Sequence, residues 1–202
     1  MHALPDRVGG RLCLDFVNTV DPRTAGAGTE YLPDYQSVLD WFAATDTSLP
    51  RNVAWLRRRA NADSRASLMA YEGIIAMREA LYGVIVAAIE DRTVRPAELS
   101  RVNDALGKSI GHRVLAPSDR GGVREEWRTS DSLEQVLWPV AIDAWDLLTE
   151  PELVRVRQCP VDSGGCGWLF LDESRSGNRR WCDMRTCGNR AKARAHYSRN
   201  AG

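Results

Sequence analysis

No stretch of the 202-residue chain approaches the roughly 18 apolar residues that a membrane-spanning helix needs. The opening Met1-His-Ala-Leu-Pro-Asp-Arg7 has no apolar run of the kind a secretory signal carries. A cytoplasmic location without a membrane partner is therefore expected. Histidine is scarce, with three residues in all, which leaves little material for histidine-based chemistry. A nucleophile–base motif, a phosphate-cradling loop and a histidine-rich cluster are all missing, so no enzyme is expected. Internal repeats and low-complexity segments are absent too, which speaks against a repeat architecture. Lysine is nearly absent: arginine outnumbers it 25 to 2, and arginine alone is not read as a phosphate contact. Cysteine is sparse as well, but its placement carries the argument.

Of five cysteines, four lie in the last 45 residues. Cys159, Cys166, Cys182 and Cys187 are spaced C-x6-C-x15-C-x4-C, while Cys13 stands far away and reads as a small buried hydrophobe. Two pairs about 15 residues apart suit a tetrahedral four-thiolate zinc site, because the intervening segment folds back to bring the pairs together. Two disulfides are the competing reading and need an oxidising compartment; unliganded cysteines or an iron cluster are the third. Four cysteines leave no open position for water, so the expected Zn2+ is structural. His196, the nearest histidine, lies about two turns beyond Cys187.

Formal net charge is zero, yet it is divided unevenly. Residues 155–202 hold nine arginines and one lysine against Asp162, Asp172, Glu173 and Asp183, a balance of +6. Residues 1–154 hold 17 basic and 23 acidic side chains, a balance of −6. A basic module on an acidic body suggests that the module meets a polyanion.

Periodicity places helices over most of the body. Residues 11–20 are a short apolar run interrupted by Asp15 and Asn18, compatible with strand or buried helix. Asp34 can cap a helix over 34–44, a short helix holds Val53, Leu56 and Ala60, and the longest spans about 64–91 with a stripe of Leu68, Tyr71, Ile75, Tyr82, Ile85 and Ile89, widened by Ile74, Leu81 and Val84. Pro96 suits the first turn of a helix that runs to about 109. Residues 112–129 change period and read as a β-hairpin with a Gly-rich turn. Asp131 and Glu134 resemble a capping box before another helix, which Pro139 either kinks or delays. The expected fold class is mainly α: a helical N-terminal domain with a β-hairpin, residues 1–150, then a small treble-clef-like four-cysteine finger, residues 151–202.

Within the finger, Cys166-Gly167 resembles a zinc knuckle, in which Gly permits a tight turn. Trp168-Leu-Phe-Leu171 has strand composition, and Arg179-Arg-Trp-Cys182 is expected to pair with it across a turn at Ser174–Asn178. A helix over roughly 185–198 follows. Knuckle, hairpin and helix make the layout of a treble clef. The run Trp181-Cys182-Asp-Met-Arg-Thr-Cys187-Gly-Asn-Arg190-Ala-Lys-Ala-Arg194, preceded by Leu169-Phe-Leu-Asp172, resembles the CGNR zinc finger family. Leu12-Cys-Leu-Asp-Phe-Val-Asn-Thr-Val-Asp21 looks like the opening of the ABATE domain that commonly precedes that finger. The resemblance covers essentially the whole chain and implies a stress-induced transcription regulator whose finger binds DNA. One departure from the family pattern is the six-residue spacing of the first cysteine pair, where Asp162-Ser-Gly-Gly165 looks like a small insertion.

Arg190 and Arg194, four apart, share one helix face, and Lys192 and Arg199 extend the charge around it. Arg175, Arg179 and Arg180 flank the expected hairpin turn. These residues are the candidate nucleic-acid contacts, with Asn189 either capping the helix or reading adenine. Asp15 and Asn18 are satisfied buried hydrogen bonders or, failing that, the lining of a ligand site. The seven tryptophans read as core. Three functions are weighed: a one-component DNA-binding regulator, with a possible homodimer and a possible small-molecule effector; a protein-interaction module; and an enzyme in the helical body. A single small finger offers limited interface, so useful DNA affinity calls for a dimer.

Overall fold

The computed structural model describes residues 4–23, 28–45, 47, 49 and 52–200, the side chains of 195, 196 and 198–200 excepted. Among the described residues the architecture is a helical body with three two-stranded ribbons. The body comprises α1 (Leu12–Val17), α2 (Tyr35–Ala43), α3 (Val53–Ala62), α4 (Ser64–Ile89), α5 (Pro96–Ile110) and α6 (Trp138–Thr149). The ambiguous run after Arg11 is thus a helix, followed at once by strand β1 (Val20–Asp21), which pairs with β2 (Thr29–Glu30).

Local chemistry explains the helix starts. The Asp34 carboxylate accepts from Ser37 N–H at the head of α2, Asn52 from Trp55 N–H at α3, and Asp63 from Ala66 N–H at α4. Pro96 opens α5 without losing a hydrogen bond. Between the hairpin and α6, Ser132 rather than Asp131 is the cap: it accepts from Glu134 N–H and starts a 3-10 turn over Leu133–Leu137. Pro139 then falls in the first turn of α6, so the helix begins late instead of kinking.

Helix α4 is the central post, packed against α1, α2, α3 and α5. Its buried face runs through Ile74, Met77, Leu81, Val84 and Ile85. Ile85 of the expected stripe is buried with Ile74, Leu81 and Val84, the residues expected to widen it, whereas Leu68 is exposed and Tyr71, Ile75, Tyr82 and Ile89 flank the core. Phe16, Trp41 and Phe42 stack beside α4, the last two edge to face at 4.9 Å. The hairpin of β3 (Arg113–Pro117) and β4 (Val123–Trp127) stands where the period change placed it.

The third ribbon corrects an expectation. Strand β6 (Leu169–Leu171) pairs with β5 (Val156–Gln158) upstream, with Leu169 opposite Gln158, and not with residues 179–182. The physical reason lies in Asp172, whose carboxylate accepts from the N–H groups of Ser174 and Arg179 and closes residues 172–179 into a loop. A turn of π-helix over Met184–Gly188 leads into α7 (Asn189–Asn200).

Candidate metal centre

The four cysteines converge. Cys159, Cys166, Cys182 and Cys187 are all buried, and their sulfurs lie within 4.8 Å of one another. Cys166 and Cys182 stand 3.4 Å apart, Cys182 and Cys187 3.7 Å. A bonded disulfide would need about 2.05 Å. Sulfurs at ~2.3 Å from one tetrahedral ion sit about 3.8 Å from each other, so the spacing and the donor set fit a closed four-thiolate metal site. Hydrogen bonds from Cys166 and then Cys182 hold the Cys159 thiol well below its usual range, while the same bonds to Cys159 push Cys166 and Cys182 up. A divalent cation at the centre stabilises all the thiolates together.

The loop that carries Cys166 is shaped by glycine. Gly167 has φ +79°, and a Cβ there would lie 2.8 Å from Arg23 Cβ, so only glycine lets the body approach. A Cβ on Gly165 would meet Cys159 Sγ at 2.6 Å. The segment Asp162–Gly165 folds back on the residues before it, with Gly164 N–H donating to Val161 O and Gly165 N–H to Pro160 O. It leaves all four sulfurs in place.

Sequence reasoning missed how the knot is held, because every contact is long-range. The Asn18 side chain pairs with Leu169 as a strand would: its Nδ2 donates to Leu169 O at 2.7 Å and its Oδ1 accepts from Leu169 N–H at 2.9 Å. Leu171 N–H donates to Gly9 O on the same edge. Arg23 N–H donates to Cys166 O, Trp168 Nε1 to Val20 O, and Tyr82 O–H to Gly167 O. Leu169, Leu171 and Val156 are buried in the core of the body, whereas Phe170 and Trp168 face the cysteines. One ribbon thus serves two cores.

The expected nucleic-acid contacts separate into two sets. Arg179 is turned inward: its Nε donates to Trp181 O, another nitrogen donates to Cys182 O, and the guanidinium lies 4.6 Å from the Phe170 ring centre. It braces the metal loop. Asn189 Nδ2 donates back to Arg185 O, a bond to the preceding turn and not the N-cap expected of it, in which the side chain would accept from a backbone N–H. Arg180 lies over Trp181 and donates to Ser163 Oγ. Arg175, Arg190, Lys192 and Arg194 are exposed, with the Arg194 side chain laid against Gly164. Arg199 lies outside the described side chains.

Arg190 also borders a cavity of about 220 Å³ beside the metal knot, together with Asp21, Tyr31, Trp168 and Thr186. Burial raises the Asp21 carboxyl above its ordinary value, and the charge of Arg190 opposes that rise. Of the two polar residues in α1, Asn18 is the clamp just described. Asp15 accepts from Gly9 N–H at 2.8 Å and borders a surface cleft with Arg7 and Arg11. Cys13 is fully buried, and desolvation pushes its thiol up.

Burial raises Asp15 to about 6 from an ordinary 3.8, against the pull of Gly9 N–H and Arg7. Between those values the folded chain keeps a proton that the unfolded chain has released, so stability falls as pH rises through that window. The variant Asp15→Asn keeps the acceptor without the charge. It is expected to be more stable than wild type above pH 7, by on the order of 2 kcal/mol, and no more stable at pH 4. Thermal melts at the two pH values measure the difference, and an equal effect at both would refute the assignment.

Comparison with known families follows this geometry. The ABATE family model, described as "Putative stress-induced transcription regulator", matches residues 10–151. The CGNR zinc finger model matches residues 155–200. None of the curated proteins compared matches the chain. The first model spans the helical body and the second spans the four-cysteine knot with its helix, in the order that the motifs implied, so the chain belongs to the ABATE family and carries a CGNR zinc finger after that domain.

Proposed function

We propose that the protein is a cytoplasmic, non-enzymatic DNA-binding regulator. Residues 1–150 form the sensing or dimerising body and residues 151–202 the finger. Cys159, Cys166, Cys182 and Cys187 hold a structural Zn2+, which cross-links the knuckle to the start of α7. The observation that carries the reading is the charge division: +6 after residue 154 against −6 before it. Arg175, Arg190, Lys192 and Arg194 are exposed around the cysteine knot, where phosphates can reach them. The acidic body repels a polyanion and confines the contact to the finger.

One observation favours a second reading, in which the finger is a protein-docking element. Its hairpin is already seated on a protein surface, the body of the same chain. Fluorescence anisotropy of the zinc-loaded protein with random-sequence duplex DNA across a salt series separates the two. DNA binding should be steeply salt-dependent, and Arg190→Ala with Arg194→Ala should weaken it at least about ten-fold and flatten the salt slope by about 2. Arg175→Ala with Lys192→Ala should act in the same direction. Absence of binding at low salt, with zinc still stoichiometric, would move the weight to the docking reading.

A further inference from the structure

The β3–β4 hairpin is a two-stranded ribbon with both outer edges open: among the described residues no other strand pairs with either. Such a ribbon is marginal by itself, and three or more strands are the usual requirement. It also leaves Leu115 74% and Val123 67% exposed. Its two edges differ. Arg128 N–H donates to His112 O at one end and Ser118 N–H to Gly122 O at the other. Those closing pairs fix the phase of the ladder given by the register. Val114, Ala116, Arg124 and Glu126 bond inward; Arg113, Leu115 and Pro117 point their backbones out from β3, and Val123, Glu125 and Trp127 from β4. Pro117 has no N–H to offer, which blunts the β3 edge. The β4 edge has no such block.

The β4 strand, Val123-Arg-Glu-Glu-Trp127, is complementary to itself. We propose that a second copy of this chain pairs with it antiparallel, about a two-fold axis at Glu125, to give a continuous four-stranded sheet β3–β4–β4–β3. In that register the outward backbone groups of Glu125 meet their own symmetry copies, and those of Val123 meet those of Trp127 of the other chain. Val123 and Trp127 form a β-branched–aromatic cross-strand pair on one face. On the other face Arg124 stands opposite Glu126 of the other chain, twice, in the closely spaced non-hydrogen-bonded positions. The two Glu125 side chains fall opposite each other, and each makes a two-point contact with Arg113 of its own chain, which offsets part of their repulsion. Arg124 and Glu126 pair within one chain at 2.7 Å while exposed to water, a contact weak enough to be exchanged. The other charge pattern on offer, β3 against β3, lacks both the N–H of Pro117 and an acidic residue.

Charge exchange provides the test. Sedimentation velocity of the zinc-loaded full-length protein, without DNA, is expected to show a monomer–dimer equilibrium. Arg124→Glu alone and Glu126→Arg alone each put like charges opposite each other, and each is expected to weaken the dimer roughly ten-fold or more. An equimolar mixture of the two single variants restores both cross-pairs and is expected to dimerise at least as well as wild type, as is the chain that carries both substitutions. All three variants change exposed positions, and matching thermal melts verify that they fold. A wild-type chain that stays monomeric at the highest attainable concentration overturns the proposal. So does a dimer that is indifferent to the single variants, or a mixture that does not recover. The proposal does not rest on DNA binding: it fails or stands in the absence of nucleic acid.

Discussion

Stripping the metal is expected to lower the melting temperature of the helical body by more than about 10 °C, well beyond local unfolding of the finger. The cysteine knot fixes Phe170 and Trp168, and those residues alternate along β6 with Leu169 and Leu171, which fill the core of the body. Loss of the knot releases the whole strand. Burying an aliphatic side chain contributes about 1.5–3 kcal/mol, so Val156, Leu169 and Leu171 together stabilise the body by roughly 5–8 kcal/mol. For a chain of this size each kcal/mol moves the melting temperature by about 2–4 °C. Binding of a four-thiolate zinc can itself supply ~10 kcal/mol or more. Calorimetry with and without a strong chelator, alongside metal release measured against protein concentration, reports both quantities. One zinc per chain with a single shared transition is the expected result, and Cys182→Ser should reproduce the chelated melt. A body transition that stays in place as the finger unfolds would show that the two parts fold independently.

The second large effect is expected from Arg78→Met. Arg78 is 2% exposed in the middle of α4. It grips the Glu30 carboxylate through two hydrogen bonds of 2.7 and 2.6 Å, and reaches Glu79 at 2.8 Å and Thr19 Oγ1 at 3.1 Å. Removing one member of a buried ion pair leaves the other desolvated and uncompensated, at a typical cost of 3–5 kcal/mol. Glu30 keeps partial access to water, so the lower end, about 3 kcal/mol, applies. That corresponds to a fall of roughly 6–12 °C. Adding Glu30→Gln should recover part of the loss, because the stranded charge is then gone. Thermal melts of the single and double variants decide the point, and a double variant no better than Arg78→Met would mean that the arginine acts by packing alone.

What could be read from the sequence follows the range of the interactions. Helices α2, α4 and α5 were expected close to their observed bounds because their signals are local: a carboxylate one residue ahead, a proline in the first turn, apolar residues every third or fourth position. The cysteine knot was readable for a related reason, since few residue types bind metal and their spacing limits the geometry. The partner of β6 was not. Strand composition pointed to 179–182, but Asp172 closes that segment into a loop and leaves β6 to pair with 156–158. Asn18 announced only that a polar group sat in an apolar run; its partner lies 151 residues away. Arg78 carries no signal in the sequence that sets it apart from other charges on a long helix. Its role depends on where the β1–β2 ribbon lies, which no local pattern encodes. Arg179 differs: it reads as one more cation in a basic segment, yet its side chain turns inward onto the carbonyls of Trp181 and Cys182, two and three residues on.

The ribbon shared by the two cores also sets an order of events during synthesis. The ribosome makes the chain from its N-terminus at about 5–20 residues per second, and six helices emerge before the strand that completes their packing. Until Leu169 and Leu171 leave the exit tunnel, Asn18 has no backbone to pair with, and the slot beside α1 stays open to water. The nascent body is therefore most exposed to proteases and chaperones in the interval between its last helix and its last cysteine. A chain interrupted before Val156 would carry that open slot permanently, and quality control would meet it as an unfinished protein even with every helix present.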